Sequence, residues 1–374
     1  MSVVETLLAG PRGRRLLLEY ALTADRLSNM QSQNSFHMAV FLATYHLDVD
    51  HGSGVVMFGP GAEEARRTVV TAEGIADRLT RVVLSEVTAT AVRKAMELSM
   101  DFARYWQEPD GADVLAATDA MRGALRRVAE HVAQSPWTEW WSTDAALTEQ
   151  WAVGRTFGDA GLLDDSAVGR PAAEVLSECS VRTAVEEERA ARERPLDPTA
   201  SVGGAWWSNP PTLCSSRLLA DGTPAGLWFV EDGSDPARAV SRRVTVAEGA
   251  RVFEVDGPQA WAQLCRRFPL EVTAQKRHEW YRTTGRSGRW VIPDWPRLAE
   301  VYDGVNLTTT GYLSAATTAI PVDDDGASVI AGWAPDETYW FTDAATAIAD
   351  DVRHWVSESD GERLDWVEDE QPPA

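Results

Sequence analysis

The stretch of residues 266–295 reads RRFPLEVTAQKRHEWYRTTGRSGRWVIPDW and has the most unusual composition in the chain. It carries seven basic side chains against three acidic ones, although the chain of 374 residues has a formal net charge of -22. Three of the sixteen tryptophans also lie in it. Guanidinium groups match phosphate and carboxylate groups, and aromatic faces stack on bases. This stretch, which we call the basic segment, therefore predicts a site for an anionic ligand.

The centre of the basic segment supplies the first candidate site residues. By charge and by stacking, the predicted ligand-binding residues are Arg277, Trp280, Tyr281 and Arg282. His278 is predicted as a catalytic general acid or base, because the ordinary pKa of histidine, about 6.5, lies near neutrality. A structural alternative stays open, in which the arginines lie over tryptophan faces and the rings fill the core.

Outward from the basic segment, the chain changes its character near residue 200. Residues 195–211, PLDPTASVGGAWWSNPP, hold four prolines and two glycines, which is typical of a domain boundary. Apolar residues recur at helical spacing before this point, and short β-type runs with few helices follow it. This order predicts an α+β fold, with a mainly helical domain at 1–195 and a Trp-rich mixed α+β domain of short strands at 200–356. Residues 357–374 are rich in acids and are predicted to form a disordered tail.

Individual runs predict the secondary-structure elements. The predicted helices lie at 4–22, 35–47, 87–107, 118–134, 171–194, 258–267 and 344–355. The predicted strands after the boundary lie at 225–232, 237–246, 250–257, 304–310, 327–333 and 337–343.

Composition excludes several classes of function. A strongly negative chain is not suited to general binding of nucleic acid or of anionic membranes, both of which need a positive face. The apolar runs are shorter than the ~18–20 residues that cross a bilayer, and the first residues lack the pattern of a signal peptide. We therefore expect a cytoplasmic protein.

Residue usage gives two further expectations. Cys179, Cys214 and Cys265 are odd in number and widely spaced, so we expect reduced thiols and predict neither a disulfide framework nor a metal site. Only two of the 35 basic residues are lysines, which together with the abundant alanine is typical of a GC-rich bacterial genome.

A second group of candidates lies downstream of the basic segment. The run Gly311-Tyr312-Leu313-Ser314 follows threonine-rich residues predicted as a strand, and Asp336-Glu337 opens another predicted strand. Together with Arg251 at the start of ARVFEV, this pattern resembles the ADP-ribosyltransferase fold. In that family an arginine or histidine on an early strand, a Ser-Thr-Ser strand after an aromatic turn, and a glutamate leading into a late strand surround NAD.

The resemblance implies roles for four residues and suggests NAD as a cofactor. Arg251 would hold the dinucleotide, and Tyr312 and Ser314 would frame the nicotinamide. Glu337 would be the catalytic residue that stabilises the ribosyl cation, since such a centre calls for a nearby carboxylate. Two departures stand in the sequence: of the Ser-Thr-Ser triplet only Ser314 is matched, and Pro335 replaces the family's Glu or Gln two residues before Glu337.

Two functions remain open from the sequence, and it does not decide whether the protein is an enzyme. One is an enzyme that binds a nucleotide or NAD through its C-terminal part, with ADP-ribosyl transfer as its most specific form. The other is a non-catalytic interaction or regulatory protein whose basic segment docks a protein partner, since Trp and Arg commonly anchor interfaces. The oligomeric state is not predicted.

The two functions differ in the geometry that they predict. A ligand site requires one concave pocket formed by Arg277, Arg282, Tyr312 and Glu337. A docking surface requires exposed rings on a flat or convex patch, namely those of Trp280, Trp290 and Trp295.

Overall fold

The computed structural model describes residues 2–29, 35–48, 56–156, 169–233, 238–359 and 364–369. Within these ranges the fold is α+β, which confirms the predicted class. The helices are α1 (Val3–Ala9), α2 (Pro11–Asn29), α3 (Phe36–Leu47), α4 (Ala62–Arg67), α5 (Ala72–Leu79), α6 (Ala89–Asp101), α7 (Gly111–Ala116), α8 (Asp119–Ala133), a 3₁₀ helix (Pro136–Ser142), α9 (Ala172–Glu193), α10 (Ala225–Trp228), α11 (Pro258–Arg267), α12 (Thr273–Thr284), α13 (Trp295–Ala299) and α14 (Thr309–Ala315).

The strands follow the helical first part of the chain. They are β1 (Gln150–Thr156), β2 (Cys214–Arg217), β3 (Arg238–Val246), β4 (Val252–Val255), β5 (Pro269–Glu271), β6 (Arg289–Pro293), β7 (Gly304–Leu307), β8 (Ile320–Pro321), β9 (Gly326–Ser328), β10 (Thr338–Trp340), β11 (Ala345–Ser359) and β12 (Leu364–Glu368). No helix in the described ranges combines the length and the apolar character that crossing a bilayer requires.

The strands form one large and one small sheet. The large sheet has the order β12-β11-β3-β1-β2-β10-β7-β4, and its neighbours are antiparallel except for β4 and β7. The small sheet has the order β5-β6-β9-β8. Strand β1 comes from the predicted helical domain and pairs with β3 along its whole length, but only Gln150 and Trp151 pair with β2. The large sheet therefore opens between β1 and β2.

Local sequence explains the helices that were predicted well. In α8, Thr118 caps the first turn by accepting a hydrogen bond from the backbone of Met121, and the residues at helical spacing from Met121 to Val132 are buried. Helix α11 has Pro258 in its first turn and spans the residues predicted for it.

The main hydrophobic core joins the helices to the large sheet. One cluster of buried apolar side chains includes Leu16 of α2, Leu125 of α8 and Val305 of β7. Gly10 lets the corner between α1 and α2 touch α14, since a Cβ atom there would lie 2.1 Å from the Leu313 carbonyl oxygen. The predicted domain boundary near 195–200 stays a prediction, and this core and the large sheet contain residues from both sides of it.

Three predictions of local structure are wrong. The predicted helix at 344–355 belongs to β11, which pairs with β3 and bulges between Ala347 and Val352. Pairing along a neighbouring strand outweighs the helical propensity of its alanines. The predicted strand at 225–232 begins with the single turn α10, which follows Pro224. The threonine-rich run after β7 is helix α14, whose N-cap is Thr308.

The acidic tail is partly structured, which corrects the expectation of disorder. Residues 364–368 form β12, which pairs antiparallel with β11. The buried ring of Trp366 anchors this strand, and that one aromatic residue outweighs the surrounding acids. Residues 360–363 and 370–374 of the predicted tail lie outside the described residues.

Candidate functional site

The basic segment folds into α12 and its neighbours, and its tryptophans are core residues. Trp280, Trp290 and Trp295 are all buried. The rings of Trp280 and Trp290 pack edge to face with centroids 5.3 Å apart, and Trp280 Nε1 donates to the Trp206 carbonyl at 2.8 Å. The aromatic patch that a docking surface requires is therefore not formed by these three rings.

The arginines of α12 bind the stretch of chain between α9 and β2. Arg277 donates to the Pro195 carbonyl at 2.7 Å. Arg282 donates to the carbonyl groups of Ala200 and Val202, and it pairs with the carboxylate of Glu279 at 2.8 Å. Both side chains therefore hold the segment 195–202 in place through its backbone, instead of lying over tryptophan faces as the structural alternative expected; Arg286 does lie over the Trp290 ring, at 4.8 Å from its centroid.

His278 and Tyr281 lie on the same helix. His278 is buried, and neither of its ring nitrogens makes a hydrogen bond to the described residues. Burial lowers the pKa of His278, and the charges of Arg277 and Arg194 lower it further, so the ring is neutral near pH 7. Tyr281 is half-buried. Neither residue lines the cavities described below.

Of the residues implied by the family resemblance, Tyr312 lies near Glu337: burial raises the pKa of the Tyr312 hydroxyl, and the charges of Glu231 and Glu337 raise it further. Arg251 is exposed at the start of β4 and pairs with Asp303 at 3.2 Å. Tyr312 and Ser314 are buried on α14, where the Ser314 hydroxyl donates to the Thr310 carbonyl at 2.8 Å. These three residues do not meet in one pocket.

Glu337 differs from the other eight predicted site residues because it lines a cavity at the opening between β1 and β2. This first cavity has a volume of about 130 Å³. Its walls are residues 151–155 of β1, residues 209–216, Gly226, Arg242 of β3, Glu337 and Tyr339. Pairing between β1 and β2 is lost from Ser215 backward, and Pro210 and Pro211, which lack an N–H, precede β2.

A chain of hydrogen bonds fixes Glu337 in this cavity. The Asn209 amide donates to the Tyr339 hydroxyl at 2.7 Å, and that hydroxyl donates to Glu337 Oε2 at 3.1 Å. The backbone N–H of Ala334 donates to the same oxygen at 2.8 Å. The Tyr339 ring packs edge to face on Trp333 with centroids 4.6 Å apart. The carboxylate is thus held by donors whose own positions are fixed.

Asp336 sets the backbone before Glu337. It has a φ of 68°, in the left-handed region that non-glycine residues rarely adopt. Its carboxylate accepts hydrogen bonds from the backbone N–H and from Nε of Arg217, at 2.9 and 2.7 Å. This pair therefore links β2 to the start of β10 and places Glu337 at the mouth of the opening.

A second cavity of about 570 Å³ adjoins the first. Arg242, Thr212 and Leu213 line both cavities. The second cavity is also lined by Trp340 and Thr342. A guanidinium group thus lies at the junction and a carboxylate lies in the smaller cavity. This arrangement suits a ligand that carries a hydrogen-bond donor at one end and an anionic group further along.

The sequence analysis missed Asn209, Arg242 and Tyr339. Tyr339 stands two residues after Glu337, and the period of two along a strand would have placed both side chains on one face. No such pattern pointed to Asn209 and Arg242, because each is more than ninety residues away from Glu337 in the chain.

Glu231 is half-buried, and the charge of Glu337 is among the causes that raise its pKa after desolvation. Tyr105 Oη lies 2.6 Å from Glu231 Oε1 and 2.8 Å from the Ile330 carbonyl oxygen, and the Gly332 N–H donates to Glu231 Oε2 at 2.7 Å. The Tyr105 hydroxyl has one proton and can donate to only one of these two oxygens. Both contacts are hydrogen bonds when Glu231 is protonated, because Glu231 then donates to Tyr105 and Tyr105 donates to the Ile330 carbonyl. Burial raises the pKa of Glu231 to about 8.

This raised pKa predicts that stability depends on pH. The unfolded value is 4.5 and the folded value is about 8, so the contribution to stability is complete below 4.5 and is lost as pH rises through 8. Glu231→Gln preserves the hydrogen bonds of the protonated acid without the charge. We expect it to be more stable than the wild type by about 1–3 kcal/mol at about pH 8.5, after allowing for partial exposure, and equally stable near pH 4.5.

Urea unfolding at the two pH values measures this effect. Glu300→Gln, at an exposed glutamate, is the matched control and should leave the pH dependence of the wild type unchanged. Equal stability differences at both pH values for Glu231→Gln would contradict the prediction.

Comparisons with protein-family models, with curated proteins and with solved structures found no match. The proposed function therefore rests on the geometry of the site and on the resemblance found in the sequence.

Proposed function

We propose that the protein binds a small anionic molecule of the nucleotide class in the first cavity, at the opening between β1 and β2, and in the second cavity that adjoins it. Glu337 accepts a hydrogen bond from a hydroxyl group of the ligand, and Arg242 binds its anionic group. The observation that carries this proposal is that a positioned carboxylate and a guanidinium group line the same small cavity. Their joint presence favours a ligand with both kinds of group over a purely apolar one.

NAD is the first candidate within this class, with ADP-ribosyl transfer as the reaction. The family resemblance gave Glu337 the role of stabilising a ribosyl cation, and a fixed carboxylate at a cavity wall suits that role. The other residues implied by the resemblance do not line the cavity, so this form of the proposal assigns the binding of the anionic group to Arg242 instead of Arg251. Asn209 and Tyr339 orient the carboxylate.

Docking of a protein partner through the basic segment stays a prediction without comparable support. Its three tryptophans are buried, and Arg277 and Arg282 already bind backbone carbonyls. An interface on this protein would need other residues as its anchors.

Thermal unfolding with a ligand panel tests the proposed function. The panel is NAD, ADP-ribose, ATP and inorganic phosphate at millimolar concentration, with the wild type, Arg242→Gln and Arg277→Gln. A ligand present at 100-fold over its Kd adds about 2.7 kcal/mol to the stability of the native state. We expect NAD or ADP-ribose to stabilise the wild type, and Arg242→Gln to lose most of this effect.

Arg277→Gln is the matched control from the basic segment. It removes one guanidinium group as well, but that group binds a backbone carbonyl outside the two cavities. The proposal predicts that this variant keeps the full ligand-induced shift. Loss of the shift in Arg277→Gln with retention in Arg242→Gln would move the ligand to the basic segment and overturn the proposal.

A further inference from the structure

Lysine is rare in this chain, and one of its two lysines is buried. Of the 35 basic residues, only Lys94 and Lys276 are lysines. Lys94 lies on α6 and pairs with Glu97 at 2.9 Å, with about a third of its side chain exposed. Lys276 lies on α12 and is only 3% exposed. A chain that uses arginine almost everywhere therefore carries a lysine at a desolvated position, where an amine can lose its proton and a guanidinium cannot.

The amine of Lys276 is held at the wall of a third cavity. Its Nζ donates to the carbonyl groups of Ala205 and Trp207, at 2.6 and 2.7 Å. It lies 5.7 Å from the centroids of the Trp207 and Trp280 rings. The cavity has a volume of about 360 Å³ and shares only Asn209 with the first cavity. Nζ is thus fixed by two backbone acceptors, on a residue that lines an open cavity.

Burial, more than the surrounding charges, brings the pKa of this amine close to neutrality. Burial is the largest cause and lowers the pKa of Lys276 to about 7. Among the neighbouring groups, Arg194 also lowers this pKa, whereas Cys179, Glu187 and Glu186 raise it. A neutral amine has two N–H bonds, which match the two carbonyl acceptors, and its lone pair then remains for a reaction. Lys94 has no comparable environment.

Three arginines are among the residues that line the third cavity. Arg182, Arg189 and Arg194 all line it. Arg189 and Arg194 pair with Glu186, and Arg182 is exposed at the rim. Three guanidinium groups against one carboxylate favour a ligand that carries an acidic group.

We propose that Lys276 is a reactive amine that forms an imine with a small aldehyde or ketone bearing a phosphate or carboxylate group. Nζ adds to the carbonyl carbon, and a proton passes from nitrogen to the carbonyl oxygen to give a carbinolamine. Water then leaves as the C=N bond forms. The step needs no oxidant or reductant, and the arginines at the rim bind the acidic group.

Labelling with pyridoxal phosphate tests this proposal on the wild-type protein. The probe carries an aldehyde and a phosphate; borohydride reduction fixes the imine, and peptide mass mapping locates it. At neutral pH we expect one adduct per chain, on Lys276, formed at least about tenfold faster than any adduct on Lys94, because burial holds the pKa of Lys276 at about 7. The labelling rate should rise as pH passes through about 7.

Two comparisons keep the result decisive. Lys94→Arg should keep the adduct and Lys276→Arg should lose it, with circular dichroism confirming that both variants fold. Pyridoxal without its phosphate should react more slowly with Lys276 than pyridoxal phosphate does. Adducts confined to Lys94 or the amino terminus of the folded wild type would overturn the proposal, and equal rates for the two probes would exclude a role for the arginines.

Discussion

Asp113→Asn is expected to lower the free energy of unfolding by about 3–5 kcal/mol, because it leaves the buried guanidinium group of Arg12 without its counter-charge. Arg12 is 1% exposed, forms an ion pair with Asp113, and donates to the Ser99 carbonyl at 2.6 Å. The Ser99 hydroxyl in turn donates to the Arg12 carbonyl at 2.6 Å. This cluster joins α2 to α6 and α7. The substitution is therefore expected to destabilise the packing of these three helices.

Urea unfolding near neutral pH measures the loss. Glu5→Gln is the matched control, since Glu5 pairs with Arg126 at 2.9 Å with about half of each side chain exposed. A pair of that kind contributes about 0–1 kcal/mol. If Asp113→Asn and Glu5→Gln cost the same, the ion pair of Arg12 does not have the structural role assigned to it.

Glu337→Gln is expected to weaken NAD binding by about 10–100-fold, which corresponds to the roughly 1.5–3 kcal/mol of a hydrogen bond to a charged group. The amide oxygen of glutamine still accepts from the Ala334 N–H and from the Tyr339 hydroxyl, but it carries no charge. The fold should therefore keep its stability to within about 1 kcal/mol while the ligand loses its carboxylate partner. Isothermal titration with NAD gives the affinity, and urea unfolding gives the stability.

Tyr339→Phe separates the position of the carboxylate from its charge. It removes the hydroxyl that bonds Asn209 and Glu337 but keeps the ring that packs on Trp333. We expect a smaller loss of affinity than for Glu337→Gln. Unchanged affinity in Glu337→Gln, with NAD bound by the wild type, would exclude this carboxylate from the ligand site.

The fold could be predicted where neighbouring residues decide the structure. The apolar spacing and the N-cap of α8 lie within seventeen residues of sequence, and its prediction is confirmed. Strand β11 was missed because its partner is remote: the Trp355 indole donates to the Ser241 hydroxyl across 114 residues. Pairing at such a distance leaves no local pattern, whereas its alanines suggest a helix.

The site could be predicted only in part for the same reason. Glu337 was a candidate from the sequence and lines the proposed site, but Asn209, which bonds Tyr339, is 130 residues away from that tyrosine in the chain. The ligand site in the basic segment stays a prediction, because a ligand site and a segment that holds the backbone in place have the same arginine-rich composition. Only the hydrogen-bond partners of the arginines distinguish a ligand site from a structural role. Arg282 binds the backbone carbonyls of residues 200 and 202.

Protection of cysteines from alkylation tests the location of the ligand most directly. Cys214 lines the first cavity, Cys179 lines the third, and Cys265 is buried, where desolvation raises the pKa of its thiol to about 12. Iodoacetamide labelling followed by mass mapping then reports on each position in one wild-type sample. We predict that NAD or ADP-ribose slows alkylation of Cys214 several-fold and leaves that of Cys179 unchanged. Slowing at Cys179 without slowing at Cys214 would contradict the account and place the ligand beside Lys276.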